Sequence, residues 1–243
     1  MHRHLIETHS HTAVVSPCGH LSPQELVSAY VNLGYSVLIV TDHLTAWLPI
    51  LRGAESWAEV VERYYSGYRA VSAAAAGEPL TVLPAFELTS NTEPAHDFLI
   101  YGIDERRLRE IPDIWDRPMD EVKRTAEQMG ALVFQAHPYR LTTPADPEVV
   151  DGIEIYNANP RHDSRNHLAA RFADEHDLMR ISGSDAHQWE DVGRSGIAMP
   201  EAPATIDEFV QLYRTRTSEV EFLVPGSEPT RQADYEATET RPK

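Results

Sequence analysis

HLIETHSHT, residues 4–12, is a short apolar run followed at once by two histidines. The run His4–Glu7 has the length and composition of a buried strand. Residues two apart in a strand face the same side, so His9 and His11 at its end can chelate one metal ion. His-x-His is a weak motif when it stands alone, and the pair can equally be two polar loop residues. The rest of the chain has to decide between the two interpretations.

Short apolar runs alternate with helical patterns along the chain. The clearest helix start is Ser22, with Pro23 at the first helical position and Glu25 in the first turn, and Gly34 predicts the end of that helix. Such alternation predicts an α/β fold of parallel strands, either a barrel or a doubly wound sheet. The predicted strands are His4–Glu7, Val37–Val40, Leu80–Phe86, Asp97–Tyr101, Ala131–Phe134, Gly152–Ile155 and Met179–Ile181, and the predicted helices cover 22–33, 56–76, 119–129, 164–176 and 206–214.

The 243 residues suffice for one large domain or two small ones. We find no internal repeat and no interdomain linker, which favours a single domain over residues 1–224. Residues 225–243 are polar and poor in apolar side chains, and we interpret them as a tail or loosely packed extension.

The net charge is −17. That charge argues against binding of duplex nucleic acid through a broad basic face. Apolar runs are too short to span a bilayer, and the N-terminus lacks the apolar stretch of a secretory signal. With a single cysteine, Cys18, these features predict a cytoplasmic protein with no membrane partner. They leave the oligomeric state open.

Nearly every predicted strand has a residue of a metal-ligand type at one end. Strand ends gather on one face of a parallel barrel, so we expect these side chains to converge. Imidazole nitrogen and carboxylate oxygen suit zinc, manganese or iron, and a set of this size exceeds the demand of one ion. We therefore predict two or three divalent ions. The residues are His9, His11, Asp42, His43, Glu87, His137, Asp185 and His187 after their strands, and His96 before its strand, which predicts an antiparallel strand or a shifted boundary.

Four motifs occur in a recognisable order between residues 9 and 187. They are His9-Ser10-His11-Thr12, Thr41-Asp42-His43, Gln135-Ala136-His137-Pro138 and Ser184-Asp185-Ala186-His187. In this order they resemble the polymerase and histidinol phosphatase (PHP) superfamily of metal-dependent phosphoesterases. The resemblance implies a distorted, TIM-like barrel of seven strands with a trinuclear metal site.

The resemblance also implies three metal positions, with Glu87 bridging two of them. The loosest match is His20, in Ser16-Pro17-Cys18-Gly19-His20; without it the third ion would be weakly held or absent. We interpret Cys18 as a buried, inert thiol. The implied ligands are His9, His11, Glu87 and Asp185 for the first position, Glu87, His96 and His137 for the second, and His20, His43 and His187 for the third.

Further polar residues are candidates for supporting roles. Asp42 is expected to orient His43 or a neighbouring group. Glu154 and Asn157, at the end of the sixth predicted strand, orient ligands or substrate, or else satisfy local backbone groups. Arginines can grip a phosphate through two parallel hydrogen bonds. The candidates for that role are Arg140, Arg161 and Arg194, each of which can also be an ordinary surface arginine.

The candidate ligands predict hydrolysis by a metal-bound hydroxide, with Glu87, Asp185 and His187 at the reaction centre. The resemblance implies that the substrate is a phosphate ester, either a small phosphomonoester or a nucleotide-type molecule. One alternative is amidohydrolase-like cleavage of an amide or lactone. A carbamylated lysine is common in that class, whereas Lys123, in a predicted helix, is the one lysine before the tail. The other alternative is a non-catalytic metal-holding module, which the complete set of candidate ligands disfavours.

Overall fold

The computed structural model describes residues 3–91, 95–225 and 230–231. Its helices are α1 (Pro23–Asn32), α2 (Trp57–Tyr64), α3 (Ser66–Ala74), α4 (Glu105–Leu108), α5 (Met119–Gln128), α6 (Asn166–Glu175) and α7 (Ile206–Thr215). Its strands are β1 (His4–Glu7), β2 (Tyr35–Val40), β3 (His43–Leu44), β4 (Thr81–Pro84), β5 (Phe86–Thr89), β6 (Asp97–Tyr101), β7 (Leu132–Gln135), β8 (Gly152–Asn157), β9 (Met179–Gly183), β10 (Ile197–Met199), β11 (Glu221–Phe222) and β12 (Thr230–Arg231).

Local sequence signals set several of these boundaries. The hydroxyl of Ser22 accepts a hydrogen bond from the Glu25 backbone N–H, and the Glu25 carboxylate accepts one from the Ser22 N–H. This reciprocal cap starts α1 where the sequence predicts it. Gly34, with a φ of +76°, follows the end of the helix in a left-handed conformation that glycine adopts without strain.

The strands lie in two hydrogen-bonded sheets. One has the order β12-β11-β10-β1-β2-β4 and the other β3-β5-β6-β7-β8-β9. The sheets meet where β1 and β9 end, through a parallel bridge between Ser10 and Ala186. They also meet where the Ala85 N–H donates to the Val40 carbonyl over 2.9 Å. Both junctions lie at strand ends that carry candidate ligands.

The α/β class is confirmed, whereas the closed seven-stranded barrel is not. Among the described strands, β2 and β4 belong to one sheet, whereas β3 and β5, which follow them in the chain, belong to the other. The strands therefore form two six-stranded sheets. The predicted strand 80–86 is accordingly two strands separated by Ala85. The predicted helix 56–76 is also two, because α2 ends at Tyr64 and α3 begins at Ser66.

Strand β6 runs antiparallel to both neighbours, β5 and β7. This direction is one of the two explanations offered for His96, which precedes its strand while the other candidate ligands follow theirs. The prediction omitted β3, at the edge of the second sheet, and it omitted β10, β11 and β12, which extend the first sheet beyond β1. Strand β12 falls within the predicted tail, most of which lies outside the described residues, so the domain boundary at 224 stays a prediction.

Apolar side chains from both sheets and the surrounding helices pack into one large buried cluster. The core includes fully buried aromatic residues such as Phe86, Phe98 and Phe134. A smaller cluster lies between α1, α3 and the first sheet, around Leu26 and Val71. The strand ends are therefore fixed by packing on both sides of the sheets. Within the described residues, no helix combines the length and apolar character needed to cross a membrane.

Candidate metal centre

Three groups of candidate ligands lie together at the strand ends. Within each group one ligand atom from every residue lies within 4.8 Å of the others. Histidines 9 and 11 follow β1, His43 begins β3, Glu87 lies in β5, His137 follows β7, and Asp185 and His187 follow β9. The groups are His9, Glu87 and His137; His9, His11 and Asp185; and His11, His43 and His187.

Glu87 lies in the middle of this arrangement and is fully buried. Its Oε2 atom is 2.9 Å from His43 Nδ1, 3.4 Å from His11 Nε2 and 3.5 Å from His9 Nε2. Its Oε1 atom is 3.0 Å from His137 Nε2. The carboxylate thus faces four imidazoles with its two oxygens turned to different neighbours.

Four buried atoms of this cluster lie close to one another but make no hydrogen bond of acceptable geometry: His9 Nε2, His11 Nε2, His43 Nδ1 and Glu87 Oε2. Buried polar atoms in folded proteins nearly always have a partner, because leaving one unsatisfied costs about 1–3 kcal/mol. Imidazole nitrogens and a carboxylate oxygen are ligands of divalent transition metals. The donor set therefore fits one or more divalent cations.

Asp185 contributes a second buried carboxylate. Its Oδ1 atom is 3.2 Å from His11 Nε2 and 3.4 Å from His9 Nε2. The backbone is left-handed at Asp185, with a φ of 52°, and has a φ of 27° at His137. Non-glycine residues rarely adopt these conformations, and such strain concentrates at functional sites. Both strained residues belong to the candidate groups.

Glu154 orients two of the histidines. Its Oε1 atom is 2.9 Å from His9 Nδ1, and its Oε2 atom accepts the His137 backbone N–H over 2.9 Å. The contact at Nδ1 turns His9 Nε2 towards Glu87 and Asp185, as outer-shell carboxylates do for metal-binding histidines. The Asn157 amide donates to the same Oε2 atom over 2.9 Å, so Glu154 is fixed in turn.

Asp42 acts one step further out. Its Oδ1 atom accepts the Ser16 hydroxyl and the Thr12 backbone N–H, both over 2.7 Å. The Ser16 hydroxyl accepts the His43 N–H over 3.1 Å and lies 3.3 Å from His11 Nδ1. Asp42 therefore reaches His43 and His11 through Ser16, a residue to which the sequence assigned no role.

Glu7 is a further buried carboxylate that the sequence analysis did not single out. Its Oε1 atom accepts the backbone N–H groups of Thr8, His9 and Ser184, each over 3.0 Å. It thereby ties the segment that carries His9 to the segment that carries Asp185. The signal available in the sequence was a charged residue at the end of an otherwise apolar strand.

Charge coupling shifts the pKa values of these buried groups. Burial opposes the charge of His9, but Asp185, Glu154 and Glu87 raise its pKa well above 6.5. Burial likewise opposes the charge of His43, whose pKa is nevertheless raised well above 6.5, chiefly by Glu87. Without a metal ion, protons on histidines balance the carboxylates.

Metal uptake should therefore release protons from His9 and His43. Their raised pKa values favour the protonated form of both rings, and a metal ion binds only neutral imidazole. We expect calorimetry in buffers of different ionisation enthalpy to detect proton release even at about pH 7.5, and affinity to fall as pH falls. The same protonation stabilises the metal-free fold below pH 6.5, and this contribution is lost as pH rises through the raised pKa values. Metal binding without proton release at that pH would contradict the assignment of these charges.

Two predicted ligands lie outside the three groups of described residues. His96 Nε2 is 3.0 Å from the Thr143 carbonyl oxygen, at the side of the cleft. His20 is exposed, and its backbone N–H donates to the His187 carbonyl over 2.7 Å. The structure thus brings His9, His11, His43, Glu87, His137, Asp185 and His187 together, and places His20 and His96 around them.

Cys18 differs from its interpretation as a buried, inert thiol. It is exposed and lines the cleft beside the side chains of His43 and His187. Burial alone would raise the pKa of this thiol, but His187 and His43 lower it to about 6. The thiol is therefore accessible and close to the third group of histidines.

A cleft of about 550 Å³ opens over the centre. Arg140 lines it, but its Nη2 atom already donates to Asp185 Oδ2 and Asn157 Oδ1, both over 2.7 Å. Arg161 also lines it and pairs with Asp191. Arg194 lines a separate, smaller depression and donates to the Glu190 carbonyl.

These contacts change the roles expected of the predicted substrate-binding residues. Arg140 fixes the candidate ligand Asp185, and buried Asn157 links Arg140 to Glu154. Asp191 Oδ2 accepts the His187 N–H over 2.9 Å, so the pair with Arg161 supports the His187 segment. The contacts of Arg140, Asn157 and Arg161 in the structure thus position the candidate ligands.

The fold is similar to the folds of several solved structures. A two-domain protein from Bacteroides vulgatus, containing a predicted PHP-like metal-dependent phosphoesterase, is 16% identical with a TM-score of 0.68, over 92% of this chain and 65% of that one. This chain thus spans slightly less than two thirds of that protein. PsfC from Pseudomonas syringae PB-5123 is 16% identical with a TM-score of 0.64, over 93% of each chain. Endonuclease Q, in complex with a 27-mer duplex with an abasic lesion, is 12% identical with a TM-score of 0.59, over 88% of this chain and 57% of that one.

At these identities the similarity defines the fold, which is shared with the two-domain protein that contains a predicted PHP-like metal-dependent phosphoesterase. Residues 163–218 also match the model of a family described as PHP-associated. No curated protein sequence matches the chain. Together with the four motifs, the structural similarity and the family match support a protein of the PHP superfamily, as the sequence predicted.

Proposed function

We propose that this protein is a metal-dependent hydrolase that cleaves phosphate esters. The observation that carries the proposal is the buried cluster of imidazoles and carboxylates with four atoms that make no hydrogen bond, at the base of a cleft. The three groups of candidate ligands overlap, because His9 belongs to two of them and His11 belongs to two. Adjoining groups of this kind favour two or three ions over one. Divalent ions, when bound there, would supply Lewis acidity and an activated water.

We assign the ligands from the contacts. His9, His11 and Asp185 would hold the first ion, and His9, Glu87 and His137 surround the second position. Glu87 faces both positions and His43, so its carboxylate is suited to bridge. His11, His43 and His187 would hold a third ion. Zinc, manganese and iron all suit these donors.

The remaining residues prepare the cleft for an anion. Arg140 balances the charge of Asp185, with 12% of its side chain exposed on the cleft side. Arg161 and His162 line the same cleft, so cationic and hydrogen-bonding groups face a bound phosphate. Glu87, Asp185 and His187 would then be the residues nearest the reacting phosphate ester.

The dimensions of the cleft favour a small substrate. Pockets for small ligands usually enclose about 300–1,000 Å³, and a cleft of about 550 Å³ falls within that range. The structure of endonuclease Q holds duplex DNA, so a duplex is the alternative to a small substrate. The net charge of −17 argues against a duplex held through a broad basic face, so we favour a small phosphomonoester or a nucleotide.

The test is elemental analysis of the purified protein followed by a panel of phosphomonoesters, phosphodiesters and an abasic DNA duplex. We expect zinc, manganese or iron at two or three ions per chain, and turnover of a phosphomonoester. A His137→Ala variant is the control, since it should lose metal and activity while keeping its circular dichroism spectrum. A fully metal-loaded protein that cleaves no member of the panel would refute the proposal.

A further inference from the structure

The third group of candidate ligands is unusual because it contains imidazoles alone. His11, His43 and His187 lie close together, with ring centroids 4.1 Å apart for His11 and His187 and 4.5 Å apart for His11 and His43. His11 is fully buried, and its Nε2 atom makes no hydrogen bond. A tetrahedral site needs a fourth ligand, which the three histidines do not provide.

The segment from Ser16 to His20 passes beside this group and is fixed at both ends. Ser16 donates its hydroxyl to Asp42 over 2.7 Å, and the His20 backbone N–H donates to the His187 carbonyl over 2.7 Å. Between them, the Gly19 N–H donates to the Ser16 carbonyl over 2.9 Å and closes a tight turn. A Cβ atom at Gly19 would lie 2.5 Å from the Thr12 carbonyl oxygen, so the turn requires glycine.

This turn decides which side chain faces the histidines. Cys18 lies at the cleft with its thiol interacting with the side chains of His43 and His187. His20 is exposed, and the contact that ties it to His187 is made by its backbone. Among the described residues, neither Cys18 nor His20 lies within 4.8 Å of all three ligand atoms of the group, so the side-chain contacts of Cys18 distinguish the two positions. The resemblance therefore implies a histidine ligand at position 20, whereas the side chain that contacts His43 and His187 is that of Cys18.

We propose that Cys18, and not His20, completes the third group and binds a divalent ion through its thiolate together with His11, His43 and His187. This inference rests on the proposed metal centre. On binding, the thiolate sulfur forms a bond to the ion with no change of oxidation state, and any proton still held by the thiol passes to solvent. A soft thiolate favours zinc, iron or cobalt over magnesium and manganese at this position.

The single cysteine makes the proposal directly measurable. Because Cys18 is the one cysteine in the chain, any sulfur-to-cobalt charge-transfer band in Co²⁺-loaded protein reports on it alone. We expect wild-type protein to show this near-ultraviolet band at full loading. A Cys18→Ser variant should lose the band and bind the last ion at least about tenfold more weakly, while retaining the other ions. Cys18→Asp should restore the ion without the band.

His20→Ala is the matched control in the same turn. It should keep both the band and the ion count, measured by equilibrium dialysis and elemental analysis. Absence of the band in fully loaded wild-type protein would overturn the proposal, as would loss of an ion in His20→Ala with full retention in Cys18→Ser. These readouts do not depend on turnover, so a protein that shows the band but cleaves no phosphate ester refutes only the proposed function.

Discussion

Replacing Glu87 with glutamine is expected to lower metal affinity and phosphate-ester hydrolysis by more than about 100-fold, since loss of an outer-shell partner alone costs about 10–100-fold. The substitution keeps the size of the side chain but removes a charge that faces His9, His11, His43 and His137. An amide can offer only one oxygen, so its NH₂ group would face one side of the centre. Elemental analysis and steady-state kinetics measure the two effects.

A matched control is Glu110→Gln, at an exposed carboxylate that pairs with Arg106 over 3.2 Å. Surface ion pairs contribute about 0–1 kcal/mol, so this variant should keep its metal content, activity and unfolding temperature. Near wild-type metal content in Glu87→Gln would remove Glu87 as a bridging ligand. Loss of metal in both variants would point to a general effect on the fold.

The position of most of the candidate ligands could be predicted because it follows from strand periodicity. His9 and His11 lie two apart at the end of β1, and one group of candidate ligands contains both. His137, Asp185 and His187 follow buried strands whose apolar runs are evident in the sequence. Parallel strands deliver their ends to one region, so a local pattern was enough to predict that these side chains meet.

The sequence predicted the α/β class of the fold, but it did not predict how the strands divide between two sheets. An apolar run shows that residues 80–86 are buried, but it does not show that Ala85 interrupts the ladder. Similarly, the helical pattern over 56–76 continues through Tyr65, where the chain changes from α2 to α3. Both breaks depend on neighbouring chain segments, which periodicity along a single segment does not encode.

The contacts around the ligands were the least predictable part of the site. Arg140 has the residue type of a phosphate ligand, yet its Nη2 atom binds Asp185 and Asn157. Glu7 supports the ends of β1 and β9 through residues 177 positions apart in sequence. The choice between Cys18 and His20 depends on the hydrogen bonds of one turn. Hydrogen bonds that form only in the folded chain decide these cases, and residue type alone does not reveal them.

Gly183→Ala tests how closely the strand ends must approach for the centre to form. A Cβ atom at Gly183 would lie 2.5 Å from His9 Cβ, 3.0 Å from Thr8 Oγ1 and 3.2 Å from Glu154 Oε1. The added methyl group should push His9 away from Glu154, which holds its ring over 2.9 Å. Overpacking of this kind costs about 1–3 kcal/mol of stability. Metal affinity should fall by about 10–100-fold, because the orientation of His9 is lost.

Gly77→Ala separates the two effects. Gly77 has a φ of +87° after α3, and its added Cβ would meet no atom within 4 Å. A left-handed alanine costs about 1–2 kcal/mol, so this variant should lose comparable stability in urea unfolding. It should nevertheless bind metal like the wild type, because its strain lies far from His9 and Glu154. If Gly183→Ala likewise loses stability but binds metal with unchanged affinity, then the approach of β9 to His9 maintains the fold without tuning the centre.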